Sequence, residues 1–213
     1  MGALTVDEAA VETIGHQELH GDLSQGLASM LQTAALRYSR AELEAITDGL
    51  TGLYNHRYLH ERLDEELARA REEGQSLSVL FVDLDRFKLL NDSLGHKIGD
   101  NALCRVARAI EKSTRRIDLA SRYGGDEFVV ALPRSDMPAA IYTAERIRET
   151  IAADATSDDP VTVSIGVATF PTDAENKAEL LDKADWAMYV AKRAGRDRVV
   201  AFSGETIHPR RDD

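Results

Sequence analysis

Leu77-Ser78-Val79-Leu80-Phe81-Val82-Asp83-Leu84 is the longest apolar run of the chain, and it sets the first limit on the fold. It is long enough for one buried strand and far short of the ~20 residues of a membrane-spanning helix. A buried strand must be covered, and the rest of the sequence supplies the cover. Tyr58, Leu59, Leu63, Leu67 and Ala70 mark one face of a helix that Gly74 stops. Ile98, Leu103, Val106, Ala107 and Ile110 mark a second. Ala140, Ile141, Ala144, Ile147 and Ile151 mark a third, and Leu180, Leu181, Ala184, Met188 and Ala191 a last one. Two short strands, Leu119 to Tyr123 and Phe128 to Leu132, flank Gly124-Gly125 as a hairpin. Val161, Val163, Ile165 and Val167 alternate with Thr162, Ser164, Gly166 and Ala168, which predicts a half-buried strand; Arg198 to Phe202 predicts a final short one. Strands alternating with helices around a central hairpin predict an α/β chain of the α+β type. Its sheet is mixed and mainly antiparallel, with helices on one face and an end.

The length of 213 residues accommodates one such domain and an appendage. Thr47-Asp48-Gly49-Leu50-Thr51-Gly52-Leu53-Tyr54-Asn55 is dense in turn formers and marks a boundary, giving a domain over 47–204 and a tail over 205–213 expected to be disordered. Upstream, Leu27, Leu31, Ala34, Tyr38, Ala41 and Ala45 step by fours and threes, as in a short coiled-coil seam. Residues 1–46 are therefore expected to end in a helical stalk, which either packs on its own domain or pairs two chains.

A net charge of −11 argues against a surface that coats nucleic acid. It leaves open a nucleotide substrate, whose phosphates a metal ion and a few placed cations can hold. The single cysteine, Cys104, excludes an internal disulfide and fits a reducing compartment. Asp7, Glu8 and Glu12 stand where a signal peptide needs cations before an apolar stretch. A soluble cytoplasmic protein without a membrane span is expected.

Two acidic clusters sit where strands end. Asp83 and Asp85 close the apolar strand two residues apart, on one side if the strand persists. Asp126 and Glu127 follow Gly124-Gly125 at the hairpin tip, where glycine permits a tight turn and close approach of a ligand. Taken singly, each is more often a solvated acidic turn. If the two strands are neighbours, Asp83 converges with Asp126 or Glu127 into an all-oxygen site suited to Mg²⁺. Lys88 follows the first cluster, and Lys192 and Arg196 bracket Ala194-Gly195, where a helix C-terminus favours cations in any case. Asn91 and Asp100 have the chemistry to read a guanine edge.

At this point the residues resemble a known family. Arg122-Tyr123-Gly124-Gly125-Asp126-Glu127-Phe128 contains the signature of the GGDEF diguanylate cyclases. The resemblance extends over about residues 47 to 203. It includes the opening Asp48-Gly49-Leu50-Thr51-Gly52-Leu53-Tyr54-Asn55, then Asp83-Leu84-Asp85-Arg86-Phe87-Lys88 with Asn91-Asp92, Gly95-His96 and Gly99-Asp100. Ser164-Ile165-Gly166-Val167-Ala168 and Ala191-Lys192-Arg193-Ala194-Gly195-Arg196 complete it. It implies a fold similar to adenylyl cyclase and polymerase palm domains, and a homodimer in which two GTP-loaded domains make cyclic di-GMP and two pyrophosphates. It further implies Mg²⁺, with Mn²⁺ as substitute, on Asp83, the Leu84 carbonyl, Asp126 and Glu127. Asp126 is the implied proton acceptor, and Lys88, Lys192 and Arg196 the phosphate contacts. Asn91 and Asp100, with His96 and Phe87 nearby, would recognise guanine, and Gly124 and Gly125 would leave room for the nucleotide. Asp100 favours GTP, since relatives that accept ATP carry a small polar residue there.

Arg115-Arg116-Ile117-Asp118 has the Arg-x-x-Asp spacing of the family's inhibitory site, and Arg146 stands where a further product contact is often supplied. Arg115, Asp118 and Arg146 are thus expected to bind cyclic di-GMP as feedback inhibitor, against the ordinary reading of a surface ion pair. Asp197, where the family commonly has Asn, and His56, where Arg is frequent, are departures that spare the acidic core. Two competing readings are a catalytically silent module that binds cyclic di-GMP or GTP, and a polymerase-like transferase. The intact Asp83, Lys88, Asp126 and Glu127 disfavour the first; overall acidity disfavours the second. Residues 1–46 are too short for a sensor or receiver domain, so the input signal is left unidentified.

Overall fold

The computed structural model describes residues 41, 43–154 and 160–204. The chain divides into two units, residues 1–45 and 46–213. Of the first unit only residues 41 and 43–45 are described, and these are helical. The coiled-coil seam expected from Leu27 and the tail expected over 205–213 therefore fall outside the described residues, apart from the seam's last turn.

The second unit is built on a six-stranded sheet. Its elements run β1 (Tyr54–Asn55), α1 (His56–Glu73), β2 (Leu77–Leu84), α2 (Phe87–Leu94), α3 (His96–Lys112), β3 (Leu119–Gly124) and β4 (Glu127–Pro133). There follow α4 (Met137–Ala152), β5 (Val163–Phe170), α5 (Lys177–Arg193) and β6 (Arg198–Ala201). Across the sheet the order is β1-β3-β4-β2-β5-β6. β2 lies at the centre, antiparallel to β4 and to β5. The two edge strands pair in parallel, β1 with β3 and β6 with β5. The mixed, mainly antiparallel sheet predicted from the pattern is what forms.

Helices cover both faces, however, and not one face and an end. The cause is that β2 is apolar on both sides. Leu80, Val82 and Leu84 share a core with Phe128, Val130, Ile165 and Val167 under α3 and α4. Val79 and Phe81 share the other with Val129, Ala131 and Ala168 under α1 and α5. β5 is accordingly buried along its whole length and not half-buried. Its second face carries Ser164, Gly166 and Ala168, which are small because α5 lies directly on them. A Cβ on Gly166 would stand 2.0 Å from the Ala184 carbonyl oxygen and 2.1 Å from the Met188 nitrogen.

The helix ends follow local chemistry. Asn55, Asp136 and Asn176 cap α1, α4 and α5 by accepting from the backbone N–H of Tyr58, Ala139 and Glu179. Gly74 ends α1 in the left-handed conformation at φ 63°. The antiparallel register sets Asp83 opposite Glu127 on one side and Ser164 on the other, at the end of the sheet that also receives the hairpin tip.

Candidate active site

Asp83 is the electrostatic centre of this end of the sheet. Its carboxylate is almost wholly buried, and Lys192 at the end of α5 pairs with Oδ2 at 2.6 Å. The other oxygen, Oδ1, is buried without a hydrogen-bond partner. Burial pushes Asp83 up to about 7; Lys192 pulls the other way, and the charges of Asp126 and Glu127 add to the rise. A buried carboxylate with one oxygen unpaired and two acidic neighbours is a donor set short of positive charge. Asp83, Asp126 and Glu127 therefore fit a hard divalent cation chemically. Among the described residues no three His, Cys, Asp or Glu side chains gather into a ready-made metal cage. Lys192 supplies the neutralising charge instead. Its sequence-derived place was on the phosphates; the structure puts its ammonium on Asp83.

The hairpin tip is tied to this point by backbone. The Leu84 N–H donates to the Asp126 carbonyl at 3.2 Å. Gly125 turns at φ 52°, and neither Gly124 nor Gly125 has any atom within 4 Å of where a Cβ would stand, so the approach is open. Arg122 holds the turn from behind, donating to the Gly125 carbonyl at 2.8 Å and to both Asp48 oxygens at 3.3 Å. Burial alone would raise the Asp48 carboxyl, but the Thr51 hydrogen bonds and the Arg122 charge hold it below its ordinary value. The opening motif is thereby fastened to the hairpin, a contact that the sequence pattern does not disclose.

Asp85 does not share the position of Asp83. It turns its carboxylate to the hydroxyls of Thr162 and Ser164 at the start of β5. Lys88 is exposed on the first turn of α2, and Arg196 is exposed just beyond α5. A cleft of about 450 Å³ runs along α2, lined by Leu84, Phe87, Leu90, Val161 and Arg196 among others.

The residues assigned to guanine lie on the helical hairpin α2–α3. Asn91 packs against Gly99, whose Cβ, if present, would fall 1.9 Å from Asn91 Oδ1 and 3.2 Å from the Phe87 ring. The Asn91 side-chain oxygen, Oδ1, is buried and accepts no hydrogen bond. Asp100 follows Gly99 and is exposed, as is His96 at the start of α3. Phe87, Asn91 and the residue before Asp100 are thus brought together. Arg115 and Asp118 are brought together too, but onto each other. Asp118 Oδ1 receives Arg115 Nη2 at 2.8 Å, and its Oδ2 receives the Arg115 backbone N–H at 2.6 Å. Arg115 Nη2 also reaches Ser135 Oγ at 2.9 Å. Arg146 donates to the Ser113 carbonyl at 2.6 Å, two residues before Arg115.

The central antiparallel sheet thus gathers carboxylates on β2 and at the β3–β4 tip, with a lysine from the end of α5. Comparison with known proteins gives the family. The profile described as "Diguanylate cyclase, GGDEF domain" matches residues 45–198, and the chain belongs to that family. Diguanylate cyclase DgcP of Pseudomonas aeruginosa is 39% identical over 206 residues, covering 92% of this chain and 31% of the relative. Response regulator PleD of Caulobacter vibrioides is 41% identical over 162 residues, 73% of this chain and 36% of its own. The chain thus spans about a third of the length of these two curated relatives. Among solved structures, the coiled coil and GGDEF domain of DgcB from Caulobacter crescentus, in complex with c-di-GMP, superposes with a TM-score of 0.75 at 32% identity. That match covers 86% of this chain and 98% of that one. No described helix is long and apolar enough to cross a membrane.

Proposed function

We propose that this chain is a diguanylate cyclase that joins two GTP into cyclic di-GMP, working in the cytoplasm as a homodimer of GTP-loaded domains. The observation that supports this reading best is Asp83, buried with one oxygen unpaired, opposite Glu127 across the β2–β4 ladder. Asp83, the Leu84 carbonyl, Asp126 and Glu127 would hold Mg²⁺ or Mn²⁺. When bound, the ion supplies positive charge to the α-phosphate and lowers the pKa of a coordinated hydroxyl.

The chain's own groups do the rest. Asn91 and Asp100 pair with the guanine edge, with Phe87 and His96 beside it, and the exposed tip at Gly124-Gly125 lets the triphosphate approach the backbone. Lys88 and Arg196 bind phosphate oxygens, and Lys192 would join them where a divalent cation held by Asp83 took over the charge that Lys192 now balances. The 3′-hydroxyl of each GTP attacks the α-phosphorus of the other. Its proton passes to Asp126, one P–O bond forms at each α-phosphorus, and the bond to the β-phosphate breaks to release pyrophosphate. Incubation with GTP and Mg²⁺ followed by chromatography should yield cyclic di-GMP. A dimeric preparation that makes none overturns the reading. Asp126→Ala should lower turnover by at least a hundredfold with unchanged thermal melting.

Feedback is proposed at Arg115, Asp118 and Arg146. About half of the Arg115 side chain is exposed while that of Asp118 is 1% exposed, so the carboxylate holds a guanidinium whose outer edge faces solvent. That edge suits a phosphate or the guanine O6/N7 face. The double variant Arg115→Ala, Asp118→Ala should raise the product concentration for half-inhibition at least tenfold; an unchanged inhibition curve removes the site.

A further inference from the structure

We infer that Asp85 is a positioning residue for the triphosphate: it latches the turn carrying Arg196 to the end of β2. The inference rests on the proposed GTP site and adds a residue to which no role was assigned there.

The turn after α5 is strained. Gly195, Arg196 and Asp197 have φ of 119°, 64° and 45°, two consecutive non-glycine residues in the left-handed region. Such backbone persists only where its surroundings hold it. Three groups do. The Arg196 N–H donates to the Ala191 carbonyl at 3.0 Å. The Asp197 carboxylate receives Arg148 Nη1 from α4 at 3.0 Å. The Asp197 N–H donates to Asp85 Oδ2 at 3.0 Å.

Asp85 is itself fixed. Its N–H donates to the Thr162 carbonyl at 2.9 Å. Its Oδ2 also accepts from Thr162 Oγ1 at 2.8 Å, and its Oδ1 accepts from Ser164 Oγ at 2.7 Å. Both oxygens are therefore engaged by the protein, in contrast to Asp83, where one is left over. That contrast separates the two carboxylates by task. Asp83 has capacity for a cation; Asp85 spends its capacity joining β2, β5 and the Arg196 turn. A cationic side chain on a strained turn binds a triphosphate well only if the turn does not have to be ordered at the moment of binding.

Three ligands separate the alternatives on the full chain: a GTP analogue with a methylene bridge between the α- and β-phosphates, GMP, and Mn²⁺ alone. Titration calorimetry reads the nucleotides and electron paramagnetic resonance reads Mn²⁺. Asp85→Ala should weaken the analogue about tenfold, the scale of one lost charge-assisted hydrogen bond. GMP, which lacks the terminal phosphates, and Mn²⁺ should each change less than twofold. Equal weakening of analogue and GMP would reduce Asp85 to general support of the fold, and loss of Mn²⁺ would make it a metal ligand; either overturns the inference, as does an unchanged analogue affinity. Should Asp85→Ala not fold, Thr162→Val removes one donor to Oδ2 and decides by the same readouts, with a twofold to fourfold loss for the analogue alone. A wild-type chain that fails to bind the analogue overturns the GTP reading itself, and the inference with it.

Discussion

Asp83 lies in a strand whose other members are almost all apolar, and its surroundings set how it titrates. Burial raises it to about 7 from an ordinary 3.8, although Lys192 is in contact. Between these two values the folded chain holds more of this proton than the unfolded chain does. The stability that Asp83 contributes is therefore complete below about pH 4 and is lost as pH climbs to about 7, beyond which it stays flat. Asp83→Asn removes the titration. Chemical denaturation of both proteins across this range should show the wild type losing ground to the variant, by at most about 1.4 kcal/mol per pH unit. A difference independent of pH would mean that Asp83 is ionised throughout. The carboxylates themselves were legible in the sequence, because acids that end an apolar strand stand out. The Lys192 contact was not, since it joins residues far apart in the chain and only the folded sheet brings them together. For the same reason the hydrogen bonds of Asp85 to Thr162, Ser164 and the Asp197 N–H, which set it apart from Asp83, were not legible in the sequence.

Among the elements, two glycines are buried against helices for opposite reasons, and substituting each separates packing from recognition. At Gly166 an added Cβ meets the backbone of α5 at 2.0 Å, and backbone cannot step aside cheaply. Gly166→Ala should cost about 3 kcal/mol or more, read as a fall in denaturation midpoint. At Gly99 the obstacle is the end of the Asn91 side chain at 1.9 Å, which can rotate away. Gly99→Ala should cost no more than about 1 kcal/mol in stability and yet raise KM for GTP severalfold, because it displaces the amide proposed to read guanine. Equal stability losses at the two positions would contradict this division. The same two-sided packing explains where element reading fell short. Most strand and helix positions followed from periodicity, β1 and α2 excepted, but Ser164, Gly166 and Ala168 look like the solvent side of a strand. That side is in fact closed by α5, which needs small residues and not apolar bulk to lie close.

For the whole molecule the bulk charge becomes a constraint on assembly. Each domain is proposed to bind one GTP, so one catalytic event needs two chains, each with a net charge of −11 before any nucleotide is bound. The cations proposed to meet phosphate, Lys88, Lys192 and Arg196, act locally and cannot remove the repulsion between two acidic bodies. At about 0.01 M ionic strength the screening length is about 30 Å, and the chains repel before they touch; at about 0.15 M it is about 8 Å and the repulsion is largely hidden. Activity per unit mass should therefore fall on dilution, and the fall should begin at a higher protein concentration in low salt than at about 0.15 M. Salt also weakens the hold of Lys and Arg on phosphate, so the measurement belongs at saturating GTP, where occupancy no longer varies. Turnover followed over a thousandfold dilution at both ionic strengths separates the outcomes. Activity per unit mass that stays constant on dilution would mean that one chain suffices, or that pairing is too tight to lose, and sedimentation at the lowest concentration tells these apart. A monomer that still makes product would overturn the two-chain reaction. A fall on dilution that is the same in both salts would leave the pair intact and show that the contact surfaces are locally complementary despite the charge each chain carries as a whole.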